Sequence, residues 1–284
     1  MFFPRLPRMT RFAPAPTGYL HLGHVVNAIH VWAIARDRGL RVALRVEDHD
    51  AQRSRPEYEA ALLDDLDWLG FAPDVFPTAE FRTGRCDGRQ SDRHRLYEDA
   101  AARLSARGLV YGCACSRQDL GDASCYPGTC RDRNIAPGPG VTWRLRLAPG
   151  DETFDDWLMG AQTQNPASQC GDVVIRDRLG NWSYQFVASV DDFLQGVTLV
   201  IRGRDLLDST GRQIAIARLL GRSTPASFAH HGLIMKSPTQ KLSKSDGDTG
   251  VRDLRAAGWS PDRVRAEALR GCPLDRGQTR VRPL

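Results

Sequence analysis

The chain has 284 residues, 41% hydrophobic and 26% charged. That length holds one large or two modest domains with a real core, and the composition excludes a disordered chain. The formal net charge of +5 permits an anionic partner without demanding one. No apolar run reaches the roughly eighteen residues that cross a membrane.

Only three of the 39 Lys+Arg residues are lysine, and Lys236, Lys241 and Lys244 fall within nine residues of one another. Base composition accounts for arginine excess in general; the clustered lysines mark a loop that wants compact ammonium groups. Of seven cysteines, four crowd between 113 and 130, which fits a reduced compartment and a local metal site better than disulfides. The opening MFFPRLPRMTRF lacks an apolar stretch followed by a small-residue cleavage site and reads as a ragged leader, not a secretory signal. The expectation is a cytoplasmic protein without membrane contact.

In chain order, residues 9–13 are extended and lead into Pro14 and Pro16. Residues 22–38 read as a helix, with Val25, Ile29 and Trp32 on one stripe and Gly39 as its stop. Leu40, Val42, Leu44 and Val46 alternate with Arg41, Ala43, Arg45 and Glu47 as in a strand. Residues 56–69 form a second helix, opened by Pro56 and closed by Gly70. Strand, helix, strand, helix predicts a parallel sheet with helices packed on it. Ser91 reads as the N-cap of a helix running to about Arg107. A Pro/Gly stretch over 136–140 precedes an alternating strand over 141–147. Residues 173–176 and 182–186 flank Leu179, Gly180 and Asn181 as a hairpin. Residues 197–202 read as a strand, 209–220 as a helix closed by Gly221, and the tail from Asp246 carries one helix over 261–270. Segment 96–183 reads as an insertion between two halves of the parallel-sheet domain, 9–95 and 184–235, with 236–284 as a loop and short tail.

Two motifs carry the chemistry. Residues 11–18 (RFAPAPTG) and 21–24 (HLGH) lie between the first strand and the first helix. Such a turn aims backbone N–H groups and the positive helix end at a phosphate. Gly23 lets a planar base approach the backbone, and His21 and His24 can donate hydrogen bonds to phosphate oxygens as charge shifts. Far downstream, residues 241–245 (KLSKS) offer two lysines and two hydroxyls to a pyrophosphate group. Taken singly, each motif is an ordinary polar loop. As an ordered pair separated by an insertion, they resemble the HIGH and KMSKS signatures of class I aminoacyl-tRNA synthetases. The resemblance implies a Rossmann-like α/β catalytic domain that uses ATP with magnesium. A carboxylate attacks the α-phosphorus and pyrophosphate leaves. His21, His24, Lys241 and Lys244 become the catalytic candidates, and His21, Gly23, His24 and Lys244 the ATP-binding ones.

The first motif is close to the RFAPSPTG opening of glutamyl-tRNA synthetases. Residues 45–48 (RVED) resemble that family's RIED strand end, and residues 200–205 (VIRGRD) its VIRG segment. Tyr184 and residues 190–192 (VDD) also fit. L-glutamate is the implied amino acid, and its chemistry agrees. Arg11 and Arg202 can pair with carboxylates, Glu47 at a strand's C-terminal end can hold the ammonium, and Tyr184 can supply a hydroxyl or a wall. By resemblance Arg11, Phe12, Ala13, Pro14 and Ala15 contact the amino acid. Ala15 replaces the family's serine, which removes one side-chain hydroxyl. Glutaminyl enzymes differ, with an opening nearer RFPPEPNG and an aspartate where Glu47 stands.

Only 39 residues follow Ser245, too few for the helical anticodon-binding domain of full-length glutamyl enzymes. The expected architecture is therefore an α/β Rossmann-like class I catalytic domain with an inserted zinc-containing α+β subdomain and no anticodon-binding domain. This shape, and Asp205 and Leu206 where the main family tends to have EHL, resembles a bacterial paralogue group of the catalytic half. That group glutamylates queuosine at the first anticodon position of tRNA(Asp). The resemblance implies activation without RNA, the tRNA(Asp) anticodon stem-loop as partner, arginines stacking and forking onto RNA, and a monomer. Two other readings are a truncated glutamyl-tRNA synthetase charging a tRNA 3′ end, and a catalytically silent RNA-binding zinc module.

Cys113, Cys115, Cys125 and Cys130 have spacing that suits tetrahedral zinc, and chemistry alone selects the four cysteines. The paralogue pattern, CxC followed by YxxxC, instead implies Cys113, Cys115, Tyr126 and Cys130, with Cys125 the rival of Tyr126. Either set closes one structural zinc site per chain. Cys86, Cys170 and Cys272 read as ordinary structural thiols.

Overall fold

The computed structural model describes residues 9–121, 125–233, 235–237, 240–241 and 250–272. The first half runs β1 (Met9–Phe12), α1 (Leu22–Arg38), β2 (Arg41–Leu44), α2 (Pro56–Leu69), α3 (Thr78–Arg82) and α4 (His94–Ala106). The middle follows with β3 (Val110–Cys113), α5 (Arg117–Leu120), β4 (Thr142–Leu145), β5 (Glu152–Asp156), β6 (Gly160–Gln164), α6 (Pro166–Cys170) and β7 (Val173–Arg176). Then come α7 (Tyr184–Leu194), β8 (Leu199–Gly203), α8 (Thr210–Leu219), β9 (Ser227–His231), β10 (Met235–Ser237), β11 (Gln240–Lys241), α9 (Val251–Ala256) and α10 (Pro261–Gly271).

β1 and β2 pair in parallel, with Arg11 opposite Ala43 and Phe12 opposite Leu44. β8 and β9 also pair in parallel, with Arg202 opposite His230 and Gly203 opposite His231. The two parallel pairs meet where Thr198 N–H donates to the Met9 carbonyl at 2.8 Å. The C-terminal ends of β1, β2, β8 and β9 therefore share one edge, where open parallel sheets bind ligands. α1 packs on this sheet through Val25, Val26, Ile29 and Ile34, in one core with Leu62 and Leu66 of α2. Gly39 and Gly70 end their helices in the left-handed region, with φ of 62° and 76°.

A second core lies around the antiparallel sheet β3–β4–β7. It joins Tyr97 and Leu104 of α4 to Leu145, Ile175, Trp182 and Phe186.

Short elements such as α3, β3, α5, α6 and β9 had no expected counterpart, and four further departures concern expected segments or their neighbours. Ser91 does not cap α4: it sits in a 3-10 turn over Gln90–Arg93, its N–H pinned to Asp48 Oδ1 at 2.8 Å, and α4 starts at His94. Residues 182–186 do not form a second hairpin strand. Only Trp182 bridges to Arg176, and Ser183 caps α7 by accepting the Phe186 N–H, because Phe186, Val187 and Val190 have helical spacing. The β5–β6 hairpin was not anticipated, and it joins the β8–β9 sheet through Asp156 and Phe228. The tail holds a second helix, α9, whose Val251 N–H donates to the Leu20 carbonyl at 2.7 Å.

Candidate active site

A cleft of about 540 Å³ opens at the shared sheet edge. Arg11, Ala13 and Ala15 line it, and so do His21, Gly23, His24, Glu47, Tyr184 and Arg202. Phe12 and Pro14 do not. After β1 the chain alternates: the Phe12 ring is buried against Trp32 at 5.5 Å, and the Pro14 carbonyl accepts the Glu47 N–H at 3.0 Å. Lys244 and the side chain of Lys241 lie outside the described residues.

The HLGH turn fixes the protonation of its own rings. His21 caps α1, its Nδ1 accepting the Gly23 N–H at 3.0 Å, and His24 Nδ1 accepts the His21 N–H at 3.1 Å. Each Nδ1 is an acceptor, so each neutral ring carries its proton on Nε2. The motif thus becomes a pair of Nε2–H donors at a helix N-terminus, the place where backbone amides attract phosphate. Gly23 is required by the turn itself, since a Cβ there would meet His21 Cε1 at 2.8 Å.

The amino-acid side is built on buried ions. Asp192 accepts from Arg11 Nε at 3.0 Å and from Arg45 Nη1 at 2.7 Å, while Arg45 Nη2 donates to Glu47 Oε1 at 3.1 Å. Burial pushes the Asp192 carboxyl upward, but Arg11 and Arg45 outweigh it and hold it at about 2. The neighbouring Asp191 accepts from Gln90 Nε2, Arg93 Nε and Tyr97 Oη at 2.8, 2.8 and 2.9 Å. One helical turn of α7 therefore ties β1 and β2 on one side to α4 on the other.

Arg202 is buried on β8, donating through Nε to His230 Nε2 at 3.0 Å, through Nη1 to Gln213 at 2.7 Å and through Nη2 to Thr210 at 2.9 Å. His230 Nδ1 then donates to Asp156 Oδ2 at 2.5 Å. Burial lowers the His230 pKa, which keeps the ring neutral and this chain of donors directed. The Tyr184 hydroxyl stands 3.5 Å from Arg202 Nη1. Among the described residues no carboxylate lies within ion-pair distance of Arg202, which suits it to a ligand carboxylate.

Sequence reasoning missed several lining residues. His49 is one: Gln90 donates to Asp191, so its Oε1 accepts from His49 Nδ1 at 2.7 Å and leaves Nε2 as an acceptor. Asp205, which entered only as a sequence match, also lines the cleft, and a Cβ at Gly203 would meet its Oδ1 at 2.6 Å.

The cysteine cluster lies away from the cleft, at β3. Sulfurs of Cys113, Cys115 and Cys130 fall within 4.8 Å of one another, and Cys115 and Cys130 are 3.5 Å apart. Zinc–sulfur bonds near 2.3 Å place tetrahedral thiolates about 3.8 Å apart, so these three fit. Tyr126 Oη is 3.5 Å from Cys113 Sγ and accepts the Cys130 N–H at 2.7 Å. Cys125 instead contacts the carbonyl oxygens of Tyr126 and Ala167 at 3.9 and 3.8 Å, outside the thiol group. Burial pushes the Cys130 thiol up, but hydrogen bonds to its sulfur bring it down to about 7.

A family model described as tRNA synthetases class I (E and Q), catalytic domain, matches residues 8–124 and 131–277. The chain belongs to this class I synthetase family. It is 42% identical over 273 residues to the Glutamyl-Q tRNA(Asp) synthetase of Symbiobacterium thermophilum, covering 89% of this chain and 83% of that protein. It is 40% identical over 284 residues to the Glutamyl-Q tRNA(Asp) synthetase of Rhodobacter capsulatus, covering 90% and 98%. Within the class, the chain belongs with the glutamyl-Q tRNA(Asp) synthetases. A glutamate tRNA ligase from Elizabethkingia meningosepticum, solved in complex with its amino acid, superposes with a TM-score of 0.72 at 27% identity. That match covers 89% of this chain and 54% of the ligase, so the chain spans about half of its length.

Proposed function

We propose that the chain activates L-glutamate with ATP and transfers it to queuosine at the first anticodon position of tRNA(Asp). The observation that carries this reading is a match at 40–42% identity over 83% and 98% of two glutamyl-Q tRNA(Asp) synthetases, joined to a cleft lined by Arg11, Glu47, Tyr184 and Arg202. In the first step a glutamate carboxylate oxygen attacks the α-phosphorus of ATP, and pyrophosphate leaves. The Nε2–H groups of His21 and His24 donate to the phosphate oxygens as charge develops there. Lys241 and Lys244 hold the leaving pyrophosphate, and magnesium accompanies the nucleotide.

Arg11 and Arg202 are the two carboxylate partners, and Glu47 takes the ammonium. In the second step a hydroxyl of the queuosine cyclopentene diol attacks the activated carbonyl carbon. AMP leaves with the bonding pair, and the hydroxyl proton passes to solvent.

In this reading residues 9–95 and 184–235 are the two halves of the catalytic domain. Residues 96–183 are the inserted zinc subdomain, and 236–284 are the KMSKS-type loop and tail. Cys113, Cys115, Tyr126 and Cys130 hold one structural zinc, which supplies cross-linking and no chemistry. The protein acts in the cytoplasm as a monomer, and surface arginines hold the anticodon stem-loop. Among the described residues no helix is long and apolar enough to cross a membrane.

Pyrophosphate exchange into ATP tests the first step. The expected result is exchange that depends on glutamate, is absent with glutamine or aspartate, and needs no RNA. Exchange driven by glutamine, or none without RNA, contradicts it.

A further inference from the structure

A second buried group of ligand-type side chains lies behind the cleft. One ring nitrogen of His30, one of His231 and the sulfur of Cys272 fall within 4.8 Å of one another, and all three residues are buried. They come from α1, the end of β9 and the end of α10, so tertiary folding alone assembles them. We propose that His30, His231 and Cys272 form a metal site for a borderline transition-metal ion of the zinc class, distinct from the cysteine cluster.

The orientation of both imidazoles supports this assignment. His30 Nδ1 donates to the Val26 carbonyl at 2.9 Å, and His231 Nδ1 donates to the Gly232 carbonyl at 2.7 Å. A backbone carbonyl on one ring nitrogen fixes the tautomer and presents the other as a lone pair, the usual arrangement around a metal-binding histidine. The two rings lie with centroids 4.3 Å apart and a 20° tilt between their planes. Asn27 Oδ1 lies 3.0 Å from His231 Nε2. A turned amide, a doubly protonated imidazole or a cation near both atoms reconciles two acceptors at that distance.

Cys272 completes an N₂S donor set. Its sulfur sits against the Gly232 backbone, where a Cβ would meet it at 3.2 Å. Two imidazoles and one thiolate select zinc and its late first-row neighbours over magnesium or calcium. A cavity of about 510 Å³ borders all three residues and leaves room for water as a fourth ligand. On binding, the Cys272 thiol releases its proton to solvent and its sulfur lone pair forms the metal bond. His231 and Gly232 line both this cavity and the active-site cleft, so the ion would clamp α10 to the rear wall of the cleft.

The test is metal content after dialysis against zinc, compared among the intact chain, Cys272→Ser and His30→Gln. Both variants should hold one equivalent fewer than the parent, whatever the occupancy of the cysteine cluster. Equal zinc in all three proteins overturns the proposal. A second measurement needs no variant: peptide-resolved labelling of Cys272 by N-ethylmaleimide in the native chain. One added zinc equivalent beyond that held by the cysteine cluster should slow it at least tenfold, reversibly with chelator. Labelling indifferent to zinc refutes the site.

Discussion

Replacing Asp192 with asparagine should destabilise the protein and loosen its hold on glutamate together. The side chain is buried and accepts from both Arg11 and Arg45. Asparagine keeps the shape but leaves two guanidinium groups facing a neutral amide. Asp192 is held at about 2 in the folded chain, against about 3.9 for an ordinary aspartate; that gap is worth about 2–3 kcal/mol of folding stability at neutral pH. Breaking a buried pair from one side costs about 3–5 kcal/mol, so the two estimates agree in size. A drop in Tm of roughly 5–10 °C follows.

The sign with pH is fixed. A depressed carboxyl stabilises above its unfolded value, and the stabilisation fades as pH falls from about 4 toward 2. The Tm difference between parent and Asp192→Asn should therefore be full at pH 7 and shrink below pH 4. Because Arg11 loses its anchor, KM for glutamate should rise while KM for ATP changes little. A variant with parental Tm and parental glutamate KM at pH 7 would refute the reasoning about this buried cluster.

Three further substitutions probe other parts of the site. His24→Asn keeps an acceptor for the His21 N–H but removes Nε2–H, and should slow pyrophosphate exchange by about 100-fold or more, whereas His24→Gln, which keeps an N–H donor at that reach, should be slowed less; His24→Gln slower than His24→Asn contradicts the assigned tautomer. Asp156→Asn weakens the orientation of His230 and hence of Arg202, and should raise glutamate KM roughly tenfold with a smaller change in kcat; an unchanged KM argues against this relay. Tyr126→Phe should weaken zinc retention, measured by release to a chromogenic chelator, and Cys125→Ser should not; the opposite pair of results moves the ligand role to Cys125.

Where local rules decide structure, the sequence was easy to read. α1 and α2 begin and end at the expected residues because glycines stand at both C-termini and Pro56 at the start of α2. The cleft was legible in part: Arg11, Glu47, Tyr184 and Arg202 do converge on it. The alternation of residues 40–47 was legible as a strand, but not its burial. Arg45 reads as an outward polar position, yet it is fully buried because Asp192 arrives from α7, 147 residues away.

The same limit hid other features. Asp156 and His230 meet only through the β5–β9 register, and no local pattern announces that pairing. His49 directly follows the RVED segment but is not part of that match, and its role as an acceptor depends on Gln90. Cys272 stands near His30 and His231, which are distant in sequence, so no local pattern brings the three together. Spacing alone also could not choose between Cys125 and Tyr126, since adjacent residues differ only in the direction of their side chains.

The most direct test of the central claim is transfer of labelled glutamate, with ATP, to purified tRNA(Asp) with and without queuosine, beside tRNA(Glu). The account predicts label on queuosine-bearing tRNA(Asp), none on tRNA(Asp) that lacks queuosine, and none on tRNA(Glu). Label on the 3′ end of tRNA(Glu), with queuosine making no difference to tRNA(Asp), would contradict it and make the chain a minimal glutamyl-tRNA synthetase.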